Sequence, residues 1–347
     1  MKKLFTSNIT IGFIIAFLAI GSYIFGNPFI ESLELKTYDL RASLRQSRVP
    51  APEIAIVAID DASITKLGRW PWPRSVIADG ITAIKHAGAK VIGLNILFTE
   101  PERNQGISEI ENLKTTIPAV FATEKKPINK KFQDIQDKLL EQLSADEVRL
   151  DNDTKLSQSI ADSGTIVLPM YFNLGSSLGE EIPVLSSQTI SIIENPEDTA
   201  RFAPPQGDQP VVPLAQFAQR AAAIGHVNLI PDIDGSIRSE TPVIQFQGDY
   251  YPSFAVQIIR TYLNIPIDAL KLHLGNHLSL GGRVTIPFDA AGHFLITYSG
   301  PAGTFHYFSF YDVINNKIDP AAFKGKIVLI GHLAAGIADL SVTPVGH

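Results

Sequence analysis

The sequence predicts an α/β fold: a mixed, largely parallel sheet flanked by helices and preceded by an N-terminal transmembrane helix. Three observations carry this. Residues 9–25 hold no charged side chain and follow Lys2 and Lys3. Four runs, 54–59, 90–98, 165–172 and 326–332, are apolar almost throughout, the pattern of strands buried on both faces of a parallel sheet. Between them, apolar residues recur at helical spacing.

The N-terminal elements set the expected topography. Residues 1–8 stay cytoplasmic with their lysines, residues 9–25 form the anchor, and everything after Asn27 is exported to the periplasmic or extracellular side of the inner or plasma membrane. A cleaved signal peptide is the alternative reading, because Ala19, Ile20 and Gly21 precede Ser22 in the manner of a weak cleavage site. Residues 28–49 place Phe29, Leu33, Leu40 and Leu44 at near-helical intervals. They are expected to form a juxtamembrane amphipathic helix that docks the exported part near the bilayer, stopped by Pro50 and Pro52.

Residues 50–347 read as one extracytoplasmic domain with no clean internal break. After the strand 54–59, a helix over 75–86 puts Val76, Ile77, Ile81 and Ile84 on one face and closes at Gly88. The strand 90–98 follows. A charged stretch near 101–153, partly helical by pattern, then reads as a surface insertion, before a helix at 154–162, Gly164 and the strand 165–172. Residues 173–213 are rich in Gly, Ser and Pro and suggest a long loop. The run 214–228 suggests a helix ending at Gly225 and entering a strand. Residues 227–246 suggest a hairpin turning at Asp232, Asp234 and Gly235, and 252–263 a helix with proline at its start. Residues 283–288 and 293–300 suggest strands, 308–315 a helix, and 326–332 the last buried strand.

Composition excludes several functions. The net charge is -6 and no basic stripe is interleaved with aromatics, so no nucleic-acid partner is expected. There is no cysteine, which removes disulfides, thiolate metal sites and thiol catalysis together. The histidines fall in no zinc-protease spacing, no serine-nucleophile elbow occurs, and the glycines after 331 match neither dinucleotide nor Walker loops. The D-x-D-G at 232–235 lacks the later oxygen ligands of a calcium loop. No cofactor, metal or catalytic residue is expected.

The candidate ligand residues gather after the first strand. Asp60 and Asp61 stand where open α/β sheets place their crevices. They could bind a cation, hold a polar ligand or work as acid and base; the plainer reading is a helix cap, Asp61 or Ser63 accepting backbone N–H bonds while Asp60 pairs with Arg69 or Arg74. Prolines at alternate positions hold Trp70 and Trp72 on an extended segment between those arginines. That segment is either a lid that stacks on a ligand or a plug closing the sheet. His226 at a strand end is expected to hydrogen-bond or contact a ligand. Asp339 is a possible partner for a buried arginine.

Five segments together carry a resemblance: IAIVAIDDASITKLGRWPWPR from Ile54, HAGAKVIGLNILFTEP from His86, GHVNLIPDIDGSIRS from Gly225, YPSFAVQI from Tyr251 and FKGKIVLIGHLAAGIADLSVTP from Phe323. In this order, over about 33–344, the chain resembles the type-two CHASE domain, the extracellular sensory domain associated with bacterial cyclases and histidine kinases. The resemblance implies a domain facing outward on an N-terminal helix, with further membrane helices leading to a cytoplasmic cyclase, kinase or phosphatase. The stretch near 101–153 is longer than the family's usual loop, and His332 stands where a small residue is customary. No such output domain lies within these 347 residues. The chain is therefore expected to sense without catalysing, by binding an unknown ligand or protein, with a homo-oligomer as a plausible assembly. The alternatives are an exported α/β enzyme using Asp60 and Asp61, and an envelope scaffold using the insertion as its surface.

Overall fold

In the computed structural model the described residues are 8–24, 28–122, 130–175, 183–195, 202–337 and 341–346. The chain forms helices α1 (Asn8–Ile24) and α2 (Pro28–Ser43), strand β1 (Ile54–Ile59), helices α3 (Asp61–Leu67) and α4 (Arg74–His86), and strand β2 (Val91–Leu94). Helices α5 (Gln105–Ala122), α6 (Lys130–Leu150) and α7 (Asn152–Ser163) lead to β3 (Ile166–Leu174), β4 (Ile192–Glu194) and β5 (Gly207–Val211). Then come α8 (Ala215–Ala218), β6 (Ala223–His226), β7 (Ser239–Glu240), β8 (Val243–Phe246), β9 (Asp249–Pro252) and α9 (Phe254–Tyr262). The remainder is β10 (Leu270–His273), β11 (His277–Leu280), β12 (Val284–Pro287), β13 (Phe294–Leu295), β14 (Tyr307–Ser309), α10 (Phe310–Ile314) and β15 (Ile327–His332).

All four apolar runs contribute strands to one sheet. Its order is β14-β1-β15-β2-β3, parallel throughout, and β3 goes on to pair β6 in parallel and β5 antiparallel. One face is covered by α4 and α7, whose Ile77, Ile81, Ile84, Leu156 and Ile160 pack with Phe217 and Phe310 against β1, β2 and β15. The other face receives α9, with Ile258, Phe254 and Tyr262 over Val91, Val167 and Ala223. A Cβ on Gly225 would stand 2.7 Å from the backbone of Phe254, so β6 and α9 meet this closely only at a glycine. A four-stranded sheet, β12-β11-β10-β4, packs Leu270, Leu272, Leu278 and Leu280 into a second core with Val256 and Tyr250.

Two expectations need correction, and two elements gain detail. The run 214–228 is helical only in α8; from Ala223 the chain becomes β6, because pairing with β3 in a buried sheet outweighs the helix preference of its alanines. Residues 227–246 make no hairpin, since β6 pairs β3 while β7 pairs β13. The insertion is a helical pair, α5 and α6, joined by Lys114 and Glu147 at 2.7 Å. And α2 is a helix as expected, but Ser32, Leu35, Tyr38, Asp39 and Ala42 are its less exposed residues, while Leu33, Leu40 and Leu44 are 54%, 59% and 76% exposed. A polar contact, described below, decides which face docks.

The expected spanning segment is helical as α1, with Phe13, Ile15, Phe17 and Ile20 exposed. Its 17 residues extend about 26 Å, short of the roughly 30 Å hydrocarbon core. Among the described residues, no helix is long and apolar enough to cross a membrane.

Candidate functional site

The first strand ends in a knot rather than a free carboxylate pair. Asp60 caps α3, its Oδ1 accepting from the Ser63 backbone N–H at 2.9 Å, the Ser63 hydroxyl at 2.6 Å and the Ser309 hydroxyl at 2.9 Å. Ser63 Oγ in turn accepts from the Tyr311 N–H at 3.0 Å, which binds the starts of α3 and α10 together. Burial pushes the Asp60 carboxyl up, but the hydrogen bonds from Ser63 and Ser309 outweigh it and the pKa lies below the ordinary value. The cap is thus Asp60 and not Asp61 or Ser63: Asp61 is exposed in the first turn of α3, and Ser63 donates to the cap. Neither arginine offered as a partner for Asp60 reaches it: Arg69 is exposed, and Arg74 is engaged elsewhere. Asp60→Ala is expected to cost about 1–2 kcal/mol as a lost cap, and Asp61→Asn less than about 0.5 kcal/mol. Urea-unfolding midpoints check this; an unchanged midpoint for Asp60→Ala would refute the capping role.

The tryptophan segment is a built wall. The Trp70–Pro71 bond is cis. Trp72 is buried, donates its Nε1–H to the Gly68 carbonyl at 2.8 Å and packs on Phe310. Trp70 is half-buried and meets Trp72 edge-on at 5.2 Å and His332 at 4.7 Å. Arg74 pairs with Asp153 and donates to the Glu100 carbonyl, with its guanidinium 5.2 Å from the Phe98 and Phe217 ring centres. It ties α4 to the loop after β2 and to α7, and is not a free anion binder.

Beside this wall lies a cleft of about 1010 Å³ at the carboxyl ends of β2, β6 and β15, the position open α/β sheets use for ligands. Trp70, Asn95 and His332 border it, with Leu97, Val227 and the half-exposed Leu229. Trp70, Trp72 and Arg74 are brought to it; Asp60, Asp61, Arg69 and His226 do not line it. Asp339 lies outside the described residues.

His226 is fully buried on β6, with neither ring nitrogen hydrogen-bonded to the protein, and burial alone pushes its pKa down to about 3. It is a neutral core residue beside Phe172. Glu240 is nearby in the chain's path to β8; burial pushes its carboxyl above the ordinary value although the Ser253 hydroxyl donates to it at 2.5 Å.

Sequence reasoning missed the most developed electrostatic site. Arg238, 2% exposed, uses all five N–H donors on three carboxylates. Asp39 of α2 takes Nε and Nη2 at 2.8 and 2.6 Å, Asp234 takes Nη1 and Nη2 at 2.9 and 2.8 Å, and Asp232 takes Nη1 at 2.7 Å. The hydrogen bonds from Arg238 hold the Asp234 carboxyl down at about 2 against the effect of burial, and raise the guanidinium pKa further. Gly235, at φ +82, makes the turn that folds Asp232 and Asp234 back on the arginine. The signal was present: D-x-D-G followed by an arginine places a guanidinium where a calcium loop would put its ion. The same loop holds residues 341–346, through the Ile237 N–H to Val342 carbonyl bond at 2.8 Å.

Among the described residues no group of three acidic or histidine side chains is arranged to hold a metal ion. A family model for the CHASE2 domain matches residues 11–346. No curated protein and no solved structure matches the chain.

Proposed function

Because the chain belongs to the CHASE2 domain family, a family of extracellular sensory domains, we propose that it is the signal-input part of a bacterial receptor and takes up its ligand or protein partner in the cleft beside Trp70 and His332. It reports occupancy without chemistry of its own. The domain stands outside the cytoplasmic membrane, and α1, together with the residues that flank it, holds it there; the exposed Phe13, Ile15 and Phe17 support that placement.

The observation that carries the reading is the path from cleft to helix. Val227 and Leu229 border the cleft, and the same segment runs on to Asp232, Asp234 and Arg238, which grip Asp39 of α2. Ser341 also borders the cleft, and its neighbour Val342 is bonded to that loop. A ligand that prefers one position of 227–238 shifts the populations of α2 and of 341–346 together.

Leu229→Trp tests this by filling the cleft from a side chain that is 50% exposed and has room to grow. Hydrogen exchange over residues 28–43 is expected to change by about tenfold, the scale of a coupling near 1.4 kcal/mol. Identical exchange in wild type and variant, with the introduced indole seated in the cleft, would rule the path out.

A further inference from the structure

The docking of α2 leaves an organised apolar seam facing away from the domain. Ile30, Leu33, Thr37, Leu40 and Leu44 follow one another at intervals of 3, 4, 3 and 4 residues, and all five are exposed. The opposite side of the helix is held by the bidentate Asp39–Arg238 pair and by the Tyr38 hydroxyl donating to the Ile296 carbonyl at 3.4 Å. The seam therefore cannot roll inward onto its own domain. Leu44 continues it beyond Ser43 through its N–H bond to the Leu40 carbonyl at 3.1 Å.

We propose that this outer face of α2 is the seam of a parallel two-stranded coiled coil with a second copy of the same chain. The residue types specify the geometry. Taking Ile30 as position a of a heptad, Ile30, Thr37 and Leu44 fall at a and Leu33 and Leu40 at d; β-branched residues at two of the three a positions, with leucine at d, favour two parallel strands. A two-fold axis along the seam makes the patch complementary to itself. An interfacial lipid helix is a poorer fit. It needs a polar face rich in Lys and Arg, whereas the exposed charged residues of α2 are mixed in sign, Glu31 and Glu34 beside Lys36 and Arg41.

The area and charge set the strength. The seam is about 21 Å long and smaller than the about 800 Å² per partner of a standard interface, so the pair is weak in dilution and is favoured when both copies are tethered to one membrane. That tethering clause rests on the anchoring proposed above. In a parallel pair Lys36 at g faces Arg41 of the partner subunit at e, the one like-charged contact across the seam.

Because the chain has no cysteine, single cysteines report the seam directly. In the full chain expressed in cells and mildly oxidised, Leu33→Cys and Leu40→Cys are each expected to give disulfide-linked dimers. Identical d positions of a parallel pair approach within disulfide reach. Glu31→Cys, off the seam, is expected to give about tenfold less. Adding Lys36→Glu to Leu40→Cys replaces repulsion by pairing with Arg41 of the partner subunit, and is expected to raise the dimer yield about two- to fivefold at low salt. Equal cross-linking at all three positions, or cross-linking of Leu33→Cys only to Leu40→Cys, would overturn the parallel seam. So would a dimer yield indifferent to Lys36→Glu accompanied by weaker binding to anionic vesicles, which would assign the face to lipid. Cell fractionation of the same samples reads the anchoring separately, so its failure is not mistaken for failure of the seam.

Discussion

Replacing Arg238 with alanine is expected to lower stability by about 3 kcal/mol and to release α2 from the domain. The variant leaves Asp39, Asp232 and Asp234 facing one another with no cation between them, and breaking a buried pair costs about 3–5 kcal/mol. The lower figure applies because the three carboxylates keep 26–30% of their exposure, although the guanidinium keeps 2%. Arg238→Lys is not expected to rescue, since an ammonium cannot grip two carboxylates bidentately. Asp39→Asn separates the two effects: it weakens the hold on α2 while Asp232 and Asp234 still satisfy the arginine. Thermal melts should show a large loss for Arg238→Ala and a small one for Asp39→Asn, with faster hydrogen exchange at 28–43 in both. Unchanged exchange there in both variants would sink the clamp.

The clamp also has a pH signature. Asp234 is held down at about 2 in the fold against about 3.9 in the unfolded chain. A depressed carboxylate contributes stability that is complete above its unfolded pKa and is lost as pH falls through the folded one. The contribution from Asp234 therefore disappears between about pH 4 and pH 2, and α2 should loosen in that window.

His226 produces a loss at milder acidity. Its ring is buried without a hydrogen-bond partner in the protein, and burial pushes the pKa down to about 3, so below its ordinary value near 6.5 the unfolded chain takes up a proton that the folded chain refuses. Stability is full above about pH 6.5 and falls until about pH 3. Two pH units of that slope, from pH 6.5 to 4.5, correspond to about 2–3 kcal/mol. His277 acts in the same direction, its pKa lowered by burial and by His273 stacked at 4.0 Å, so the comparison has to be with a variant at 226. His226→Leu should unfold at a higher urea concentration than wild type at pH 4.5, with the gap narrowing toward pH 7. Parallel pH profiles for the two proteins would show that the imidazole is hydrated or paired in solution.

Part of this molecule was legible because its strands are local and unambiguous. Val91 to Leu94 are four buried residues in a row, and no surface element reads that way. The helix over 74–86 announced its buried face through Ile77, Ile81 and Ile84. The run after Leu214 misled because alanines favour helix locally, while the strand partner that captured them, β3, lies some fifty residues earlier. Asp60 and Asp61 were visible as a motif, yet their division of labour depends on Ser309, 249 positions away. The amphipathic pattern of α2 was also visible. Which face packs on the domain was not legible, because the Asp39 side chain that docks α2 finds its arginine 199 positions away.

Residue types and patterns a few residues long were enough to establish the parallel α/β class and the family. It took the folded chain to join Asp60 to Ser309, to give the cleft to Trp70, Leu229 and His332, and to set Arg238 on α2. Each of these depends on contacts between residues far apart in the chain, and the partner that satisfies a charge or fills a face is chosen only when the backbone has closed around it.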